Sequence, residues 1–190
     1  MVLFLLGAVR VAASECDQLQ NASSDELASY VNKIVPEYGN AECIAFAINM
    51  LGNQRYEPAI PAMTQLLDFR WPLHGRPKGQ AFAPSHGGTG IYPATIALQK
   101  FGKKAVPGLL EAIKGDLTSR TAREAAVFVL MGIYKNESPK AVALLKQGAD
   151  TARDNATRQR LGRAAYRALI WCSPSDKAEC KAAAETRYSN

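Results

Sequence analysis

The sequence predicts an all-α protein, an α-α superhelix formed by about four stacked helical hairpins with polar caps at its ends. Three observations lead to this prediction. Apolar residues recur with the spacing of an α-helix, glycines and prolines fall between these stretches, and the same two-helix pattern returns along the chain. Such repetition predicts a stack, because one pair of helices cannot bury its apolar stripes alone.

The N-terminal segment VLFLLGAVRVAASEC predicts a secretory signal peptide. An apolar run at 2–9 is followed by the small residues Ala12, Ala13 and Ser14, so we expect cleavage near Ala13. Residues 1–13 are assigned to the signal and 16–190 to one domain, secreted or periplasmic. The run is shorter than the roughly 20 apolar residues that span a bilayer, so no membrane span is expected in the mature chain. The alternative is an apolar first helix, because no basic residue precedes the run.

The four cysteines all follow the expected cleavage site, and an even number fits an oxidising compartment. Three pairings are possible. We favour Cys16–Cys43 and Cys172–Cys180, one cross-link at each end of the chain, and the alternative is four reduced thiols. The wide spacing and the presence of only two histidines argue against a zinc site. No metal or other cofactor is expected.

Both ends of the domain carry the signals of capping helices. Ser23 followed by Glu26 is a capping box, and Pro36 is expected to end the helix that begins there. Near the C-terminus, Ser175 and Asp176 can begin a short polar helix that reaches about residue 187. The first capping helix has an apolar stripe of Leu27, Tyr30, Val31 and Ile34.

The two-helix pattern is clearest in ALQKFGKKAVPGLLEAI, residues 97–113. Gly102 lies where a helix C-terminus favours a left-handed residue, and Pro107 suits the first turn of a second helix, where its missing N–H costs nothing. The two residues therefore separate two helices. Their apolar stripes are Ala94, Ala97, Leu98 and Phe101 in the first helix and Val106, Leu109, Leu110 and Ile113 in the second.

Other copies of this pattern flank the clearest one. Before it, Gly52 is predicted to end a helix and Pro61 to lie in the first turn of the next. After it, a third copy passes through Gly132 and the turn KNESPK, and the first helix of a fourth copy follows. The apolar stripes are Ile44, Ala47, Ile48 and Leu51, then Ile60, Met63 and Leu67, then Val127, Leu130, Met131 and Tyr134, then Val142, Leu144 and Leu145, and finally Leu161, Ala165, Ala168 and Leu169.

The pattern A-L-x-x-x-G-x-x-A-V-P-x-L-L-x-x-I resembles a HEAT or HEAT-like repeat. The resemblance extends over 43–69, 94–113, 123–147 and 158–172. It implies a right-handed α-α superhelix that binds other macromolecules, and it implies no particular partner. The chain departs from the family pattern at Ala143, which we align with Pro61 and Pro107, and in the uneven spacing of its copies.

The excess positive charge lies in one part of the chain. The net charge is +6, and residues 69–110 contain six basic residues and no acidic residue. The rest of the chain has 17 basic and 17 acidic residues and is neutral. The arginines at 120, 123, 158, 160, 163 and 167 have Asp116, Glu124, Asp150 and Asp154 within reach, and we interpret them as a salt-bridged solvent face.

The insertion RWPLHGRPKGQAFAPSHGGTGIY, residues 70–92, accounts for the uneven spacing of the copies. Its five glycines and three prolines oppose helix, and long loops of this kind are often functional. It has no carboxylate or thiol to complete a metal shell, and its SHGGTG lacks the lysine of a P-loop. The alternative to a binding role is a surface loop folded over the solenoid. The candidate ligand-binding residues are Arg70, Trp71, His74, Arg76, Lys78, His86, Lys100, Lys103 and Lys104.

These features predict a binding protein and no enzyme, since no known catalytic motif occurs. The first hypothesis is an exported HEAT-like scaffold that binds another protein. The alternative is that the basic 70–92 loop binds a polyanionic polymer or a glycan at the cell surface. A third hypothesis is an enzyme of an unrecognised type. An export signal argues against a nucleic acid as the partner.

Overall fold

The computed structural model describes residues 15–33, 40–70, 92–116 and 118–185, and these ranges are helical without a strand. The all-α prediction is therefore confirmed. The expected signal peptide, residues 34–39 with Ile34 and Pro36, and residues 71–91 of the insertion lie outside the described residues. The α-helices are α1 (Glu15–Leu19), α2 (Ser24–Lys33), α3 (Ala41–Gln54), α4 (Ile60–Gln65), α5 (Pro93–Lys100), α6 (Val106–Lys114), α7 (Arg120–Ile133), α8 (Ser138–Asp150), α9 (Asn155–Ala168) and α10 (Lys177–Glu185).

Three short 3-10 helices join these elements, at Glu57–Ala59, Gly102–Ala105 and Leu169–Trp171. Each of the first two precedes the second α-helix of a copy and tightens its first turn, as 3-10 segments commonly do at helix ends. None of the helices in the described ranges is long and apolar enough to cross a membrane.

The first helices of the four copies form one layer. Helices α3, α5, α7 and α9 pack side by side in chain order. The second helices lie against this layer, and each packs more closely on the first helix of the following copy than on that of its own copy: α4 on α5, α6 on α7, and α8 on α9. This arrangement is more interdependent than a row of self-contained hairpins, because a second helix buries its stripe only when the next copy is present.

The apolar stripes form one continuous core. All of the predicted stripe residues of α3 and α5 are buried, as are those of α4. In α6 the inner residues Leu109 and Ile113 are fully buried, whereas Val106 and Leu110 are half-buried at the edge of the core. The helical spacing of the sequence therefore identified the buried face of each of these helices.

A proline opens every second helix of the first three copies. Pro61, Pro107 and Pro139 are each the second residue of their helices, α4, α6 and α8. The expected departure of the third copy was wrong: its proline is Pro139, and Ala143 lies further along the same helix. The structure aligns Pro139 with the other two because proline is tolerated only in the first turn of a helix, where no N–H is needed.

The glycines near the ends of the first helices have different roles. Gly102 adopts a left-handed conformation with φ of 59°, as predicted. Gly52 was wrongly predicted to end α3: the helix continues to Gln54, and Arg55 is the left-handed residue, with φ of 51°. Gly52 lies inside α3 against Ala97 of α5, where a Cβ atom would be only 2.7 Å from the Ala97 Cβ atom. It permits close packing of two helices.

The predicted caps and cross-links are present. The Ser23 N–H donates to the Glu26 carboxylate at 2.7 Å, and the Glu26 N–H donates to the Ser23 hydroxyl at 3.3 Å, which is the reciprocal pattern of a capping box. The disulfides are Cys16–Cys43, which joins α1 to α3, and Cys172–Cys180, which joins the end of the fourth first helix to α10. Both predicted pairs are confirmed.

Asp154 gives α9 a pH-sensitive N-terminus. Its carboxylate accepts a hydrogen bond from the Thr157 N–H at 2.7 Å, and this bond lowers the pKa of Asp154 below the ordinary aspartate value. A carboxyl whose pKa is depressed in the folded state stabilises the fold above its unfolded pKa. That contribution is lost as the pH falls through the folded pKa.

We therefore expect Asp154→Asn to reduce the acid sensitivity of the protein. Asparagine can still cap the helix but does not titrate. Between about pH 5 and about pH 2, the melting temperature of the variant should fall less than that of the wild type, measured by circular dichroism. Parallel curves for the two proteins would show that the Asp154 cap does not contribute.

Candidate functional site

The lysines around Gly102 form contacts between neighbouring copies of the two-helix pattern. Lys100 Nζ donates to the side-chain oxygen of Asn53, and Lys104 forms an ion pair with Glu57, so both reach back to the first copy. Lys104 therefore lies beside the 3-10 helix that precedes α4. Arg70 follows α4 in the chain and is half-buried.

Lys103 reaches forward to the third copy. Its Nζ lies 3.6 Å from a carboxylate oxygen of Glu137 and 5.4 Å from the ring centre of Tyr134. The hydrogen bond from Lys140 and the charge of Lys103 lower the pKa of Glu137. All three candidate lysines thus have partners from neighbouring copies, and their contacts link the second copy to the first and the third.

The remaining candidate residues of the insertion, Trp71, His74, Arg76, Lys78 and His86, lie outside the described residues. Their predicted role in ligand binding stays a prediction. Among the residues that the structure describes, no three His, Cys, Asp or Glu side chains lie close enough together to hold a metal ion.

The described residues contain a second basic cluster, which we call the arginine groove. It is a cavity of about 410 Å³ between α7 and α9 near the C-terminal end of α6. Five arginines line it over an apolar floor, and a single carboxylate lies inside. The lining residues are Arg120, Arg123, Arg160, Arg163, Arg167, Glu124, Ile113, Val127 and Ala164.

On one wall, α7 presents its residues with helical spacing. Ser119 precedes the helix and accepts a hydrogen bond from the Ala122 N–H at 3.0 Å. The same hydroxyl donates to Asp68 at 2.6 Å, which ties the start of α7 to the end of the first copy. Positions 120, 123, 124 and 127 then lie on one face of α7, because they follow the i, i+3, i+4, i+7 spacing of a helix.

On the other wall, α9 repeats this spacing. Asp154 caps the helix, and positions 160, 163, 164 and 167 share one face in the same way as their counterparts in α7. Three of these four positions are arginines. Both walls therefore direct cations into the same space.

The course of α8 leaves this space open. Helices α4 and α6 pack side by side, and α6 also contacts α9. Helix α8 packs mainly against α9 and α10 rather than against α6. The layer of second helices is thus interrupted after α6. Helix α8, which would come next in that layer, does not cover the faces of α7 and α9 beyond Ile113.

Ion pairs neutralise part of the groove. Arg120 Nε lies 3.1 Å from one Glu124 oxygen, and an Arg167 terminal nitrogen lies 3.9 Å from the other. Arg160 forms an ion pair with Asp116 at the rim. The predicted salt-bridged face is therefore present in part, but five arginines face two carboxylates, which leaves three positive charges in excess.

Several guanidinium groups retain unused hydrogen-bonding capacity. The Nε atoms of Arg160 and Arg167 are buried and have no hydrogen-bond acceptor. In the described part of the chain, Arg163 is exposed and has neither an ion-pair nor a hydrogen-bond partner. Arg123 bonds to the backbone carbonyls of Thr118 and Gly115, which neutralise no charge. The exposed guanidinium of Arg163 is therefore the donor group of the groove that an acceptor can reach most directly.

Exposed apolar side chains continue from the groove along α9 and into the 3-10 helix at Leu169–Trp171. Tyr166 is 76% exposed and Ile170 is 58% exposed, the two large apolar residues of the described chain that face solvent most fully. With Arg163 they follow the spacing of one helical face. The surface beside the groove therefore combines positive charge with accessible apolar area.

A second cavity, of about 910 Å³, lies between α4 and α6. Its charged residues are satisfied within the chain: Glu57 pairs with Lys104, Glu111 with Lys114, and Asp68 accepts from Ser119. It therefore lacks the excess charge and the free donors of the arginine groove, and it is the weaker candidate.

The arginine groove was not among the predicted binding residues, although its arginines had been noted as a basic run. A signal for it exists in the sequence, because the spacing of Arg120, Arg123 and Glu124 recurs at Arg160, Arg163 and Ala164. The sequence could not show that α8 leaves the two faces uncovered. Without that information, the simpler interpretation was that these arginines form salt bridges on a solvent-exposed face.

Comparisons with known proteins give no relative. No family model matches the chain, and neither a curated protein nor a solved structure is significantly similar to it.

Proposed function

We propose that the protein is an exported HEAT-like scaffold that binds another protein by taking up an acidic segment of that partner in the arginine groove. The observation that carries this proposal is the convergence of five arginines from α7 and α9, which have only two carboxylates among them in the described part of the chain. Arginine forms strong, directional bonds with carboxylates, and an excess of such groups in one cleft attracts anions.

The apolar area in and beside the groove favours a protein as the partner over a purely anionic polymer. The floor of the groove is apolar, with Ile113, Val127 and Ala164, and Tyr166 and Ile170 extend the apolar area along α9. A peptide can offer carboxylates and apolar side chains together, whereas a sulfated glycan offers charge and hydroxyl groups. Arginine and tyrosine are also enriched among the residues that contribute most to protein interfaces.

Export is supported by the cysteines. Both disulfides of the described chain join its end segments, and disulfides persist chiefly in oxidising compartments. The apolar run at 2–9 followed by small residues agrees with this location. We therefore propose that the partner is encountered outside the cytosol.

A direct test uses a labelled peptide that alternates glutamate with leucine and phenylalanine, together with a carboxylated oligosaccharide of equal charge. We expect the peptide to bind the full protein more tightly than the oligosaccharide, with an affinity that falls as salt is added. The double variant Arg120→Glu/Arg163→Glu should lose about tenfold or more of the peptide affinity, because two attractive charges become repulsive. Fluorescence anisotropy measures both effects.

The matched control is Arg153→Glu, at an exposed arginine that lies before α9 and outside the groove. It should change the affinity by no more than about twofold, since rim charges far from a contact have small effects. An equal loss in the control and in the groove variant, or tighter binding of the oligosaccharide, would contradict the proposal. Affinity capture from the exported fraction, with wild type and groove variant as paired baits, then identifies the partner.

The loop alternative has its own test. It rests on the acid-free stretch 69–110 and predicts salt-dependent retention on an acidic polymer. Replacing Arg70, Arg76 and Lys78 by serine should abolish that retention if the loop binds the polymer. If the groove binds it, the triple variant is retained as wild type and the groove variant is not.

A further inference from the structure

We infer that the inner end of the arginine groove is a subsite for a tetrahedral oxyanion ester, a phosphoryl or sulfuryl group carried by the acidic segment of the protein partner. This inference rests on the proposed function and specifies which anion the groove prefers. It follows from the position of Glu124 and from the donors that Glu124 leaves unused.

Glu124 marks the point where cations from both walls converge. Its side chain is only 12% exposed, and its two oxygens face different arginines, Arg120 of α7 and Arg167 of α9. The longer separation, 3.9 Å to Arg167, leaves that guanidinium weakly engaged. The carboxylate thus acts as an internal counter-ion that a ligand must outcompete.

A single carboxylate from a ligand competes poorly with this internal one. It brings the same charge and the same two oxygens as Glu124, and it must give up its hydration to enter. A glutamate in the partner is therefore expected to bind chiefly to the exposed Arg163, which has no partner among the described residues. The inner arginines would remain with Glu124.

A phosphate or sulfate ester can accept more hydrogen bonds from the inner arginines than a carboxylate can. It presents three terminal oxygens, and a phosphate ester also carries a charge of about −1.5 to −2 near neutral pH. Arg167 is only weakly engaged by Glu124 and its side chain is 40% exposed, and Arg163 is open. Clusters of arginine bind such groups through paired, charge-assisted hydrogen bonds, which lysine cannot reproduce geometrically.

The test uses three versions of one acidic peptide that differ only at a central position, which carries glutamate, phosphotyrosine or sulfotyrosine. Unmodified tyrosine at that position is the reference. With the full, disulfide-bonded protein, at least one ester peptide should bind about tenfold or more tightly than the glutamate peptide in calorimetry. The two ester peptides identify the preferred group.

Two variants test the mechanism. Glu124→Gln removes the internal counter-ion. It should strengthen binding of the glutamate peptide more than that of the ester peptides, so the difference in affinity between the two kinds of peptide becomes smaller. Arg167→Lys keeps the charge at the inner end but loses the planar fork, and it should reduce the ester preference, whereas the glutamate peptide, which binds chiefly to Arg163, should bind nearly as before. Melting curves of both variants exclude misfolding as the cause.

The outcomes separate this inference from the proposed function. If the glutamate peptide binds, the groove variants weaken it and neither ester peptide binds tighter, the oxyanion subsite is overturned and the acidic-segment proposal stands. If no peptide binds, both fail. An ester preference that is unchanged in Glu124→Gln and in Arg167→Lys would also overturn the assigned subsite.

Discussion

Gly52→Ala should destabilise the protein by about 1–3 kcal/mol, whereas Gly162→Ala should stabilise it by about 0.5–1 kcal/mol. Both glycines lie inside long helices, α3 and α9. At a helix position where the added methyl group meets no neighbour, alanine is a better helix former than glycine. The opposite signs are expected from what surrounds each position.

The difference lies in the packing. A Cβ atom at position 52 would lie 2.7 Å from the Cβ atom and 2.8 Å from the Cα atom of Ala97, so the backbones of α3 and α5 must move apart. A Cβ atom at position 162 meets nothing within 4 Å. Because α3 and α5 are adjacent helices of the main layer, separating them opens the core on both sides.

Urea unfolding of the two variants beside the wild type measures both changes. Gly162→Ala is the internal control, since it reports the propensity gain without a steric cost. Stabilisation by Gly52→Ala of similar size would contradict the close approach of α3 and α5. A loss of stability in both variants would show that the outer face of α9 is covered by another part of the chain.

Removal of the disulfides should cost about 3.5 kcal/mol for Cys16–Cys43 and about 2.5 kcal/mol for Cys172–Cys180. The first pair spans 27 residues and the second spans 8. A longer loop restricts the unfolded chain more, and this restriction is the main source of the stabilisation. The paired replacements Cys16→Ala/Cys43→Ala and Cys172→Ala/Cys180→Ala are suitable, because alanine introduces no buried hydroxyl.

Denaturant unfolding of the two double variants shows which of them loses more free energy of unfolding. The C-terminal pair should also have a local effect: without it, the amide protons of α10 should exchange faster than those of α8, on which α10 packs. A larger loss for the C-terminal pair would contradict the loop-length argument. Four free thiols in the mass spectrum of the native exported protein would contradict the pairing itself.

Local patterns in the sequence predicted the elements of the fold well. The apolar stripes, the capping box at Ser23 and Glu26, the first-turn prolines Pro61 and Pro107, and the left-handed Gly102 all depend on contacts within a few residues. The cysteine pairs were predictable because each joins segments close in the chain. These features need no knowledge of how distant helices meet.

The predictions that depended on distant contacts were less complete. Gly52 was read as a helix end because Gly102 is one, but its reason is the approach of Ala97, 45 positions away. The lysines of the Gly102 turn looked like free charge, yet Asn53, Glu57 and Glu137 engage them from neighbouring copies. Nothing local distinguishes a partnered lysine from a solvated one.

The sequence by itself therefore determined the all-α class, the order and buried faces of the helices, and the two cross-links, since helical periodicity and capping are short-range effects. Only the tertiary structure decided which surfaces stay open. The arginine groove exists because α8 packs on α9 and α10 and leaves the outer faces of α7 and α9 uncovered. The spacing of the arginines in the sequence is the same whether that space is filled or empty, so the packing of a third helix sets the site.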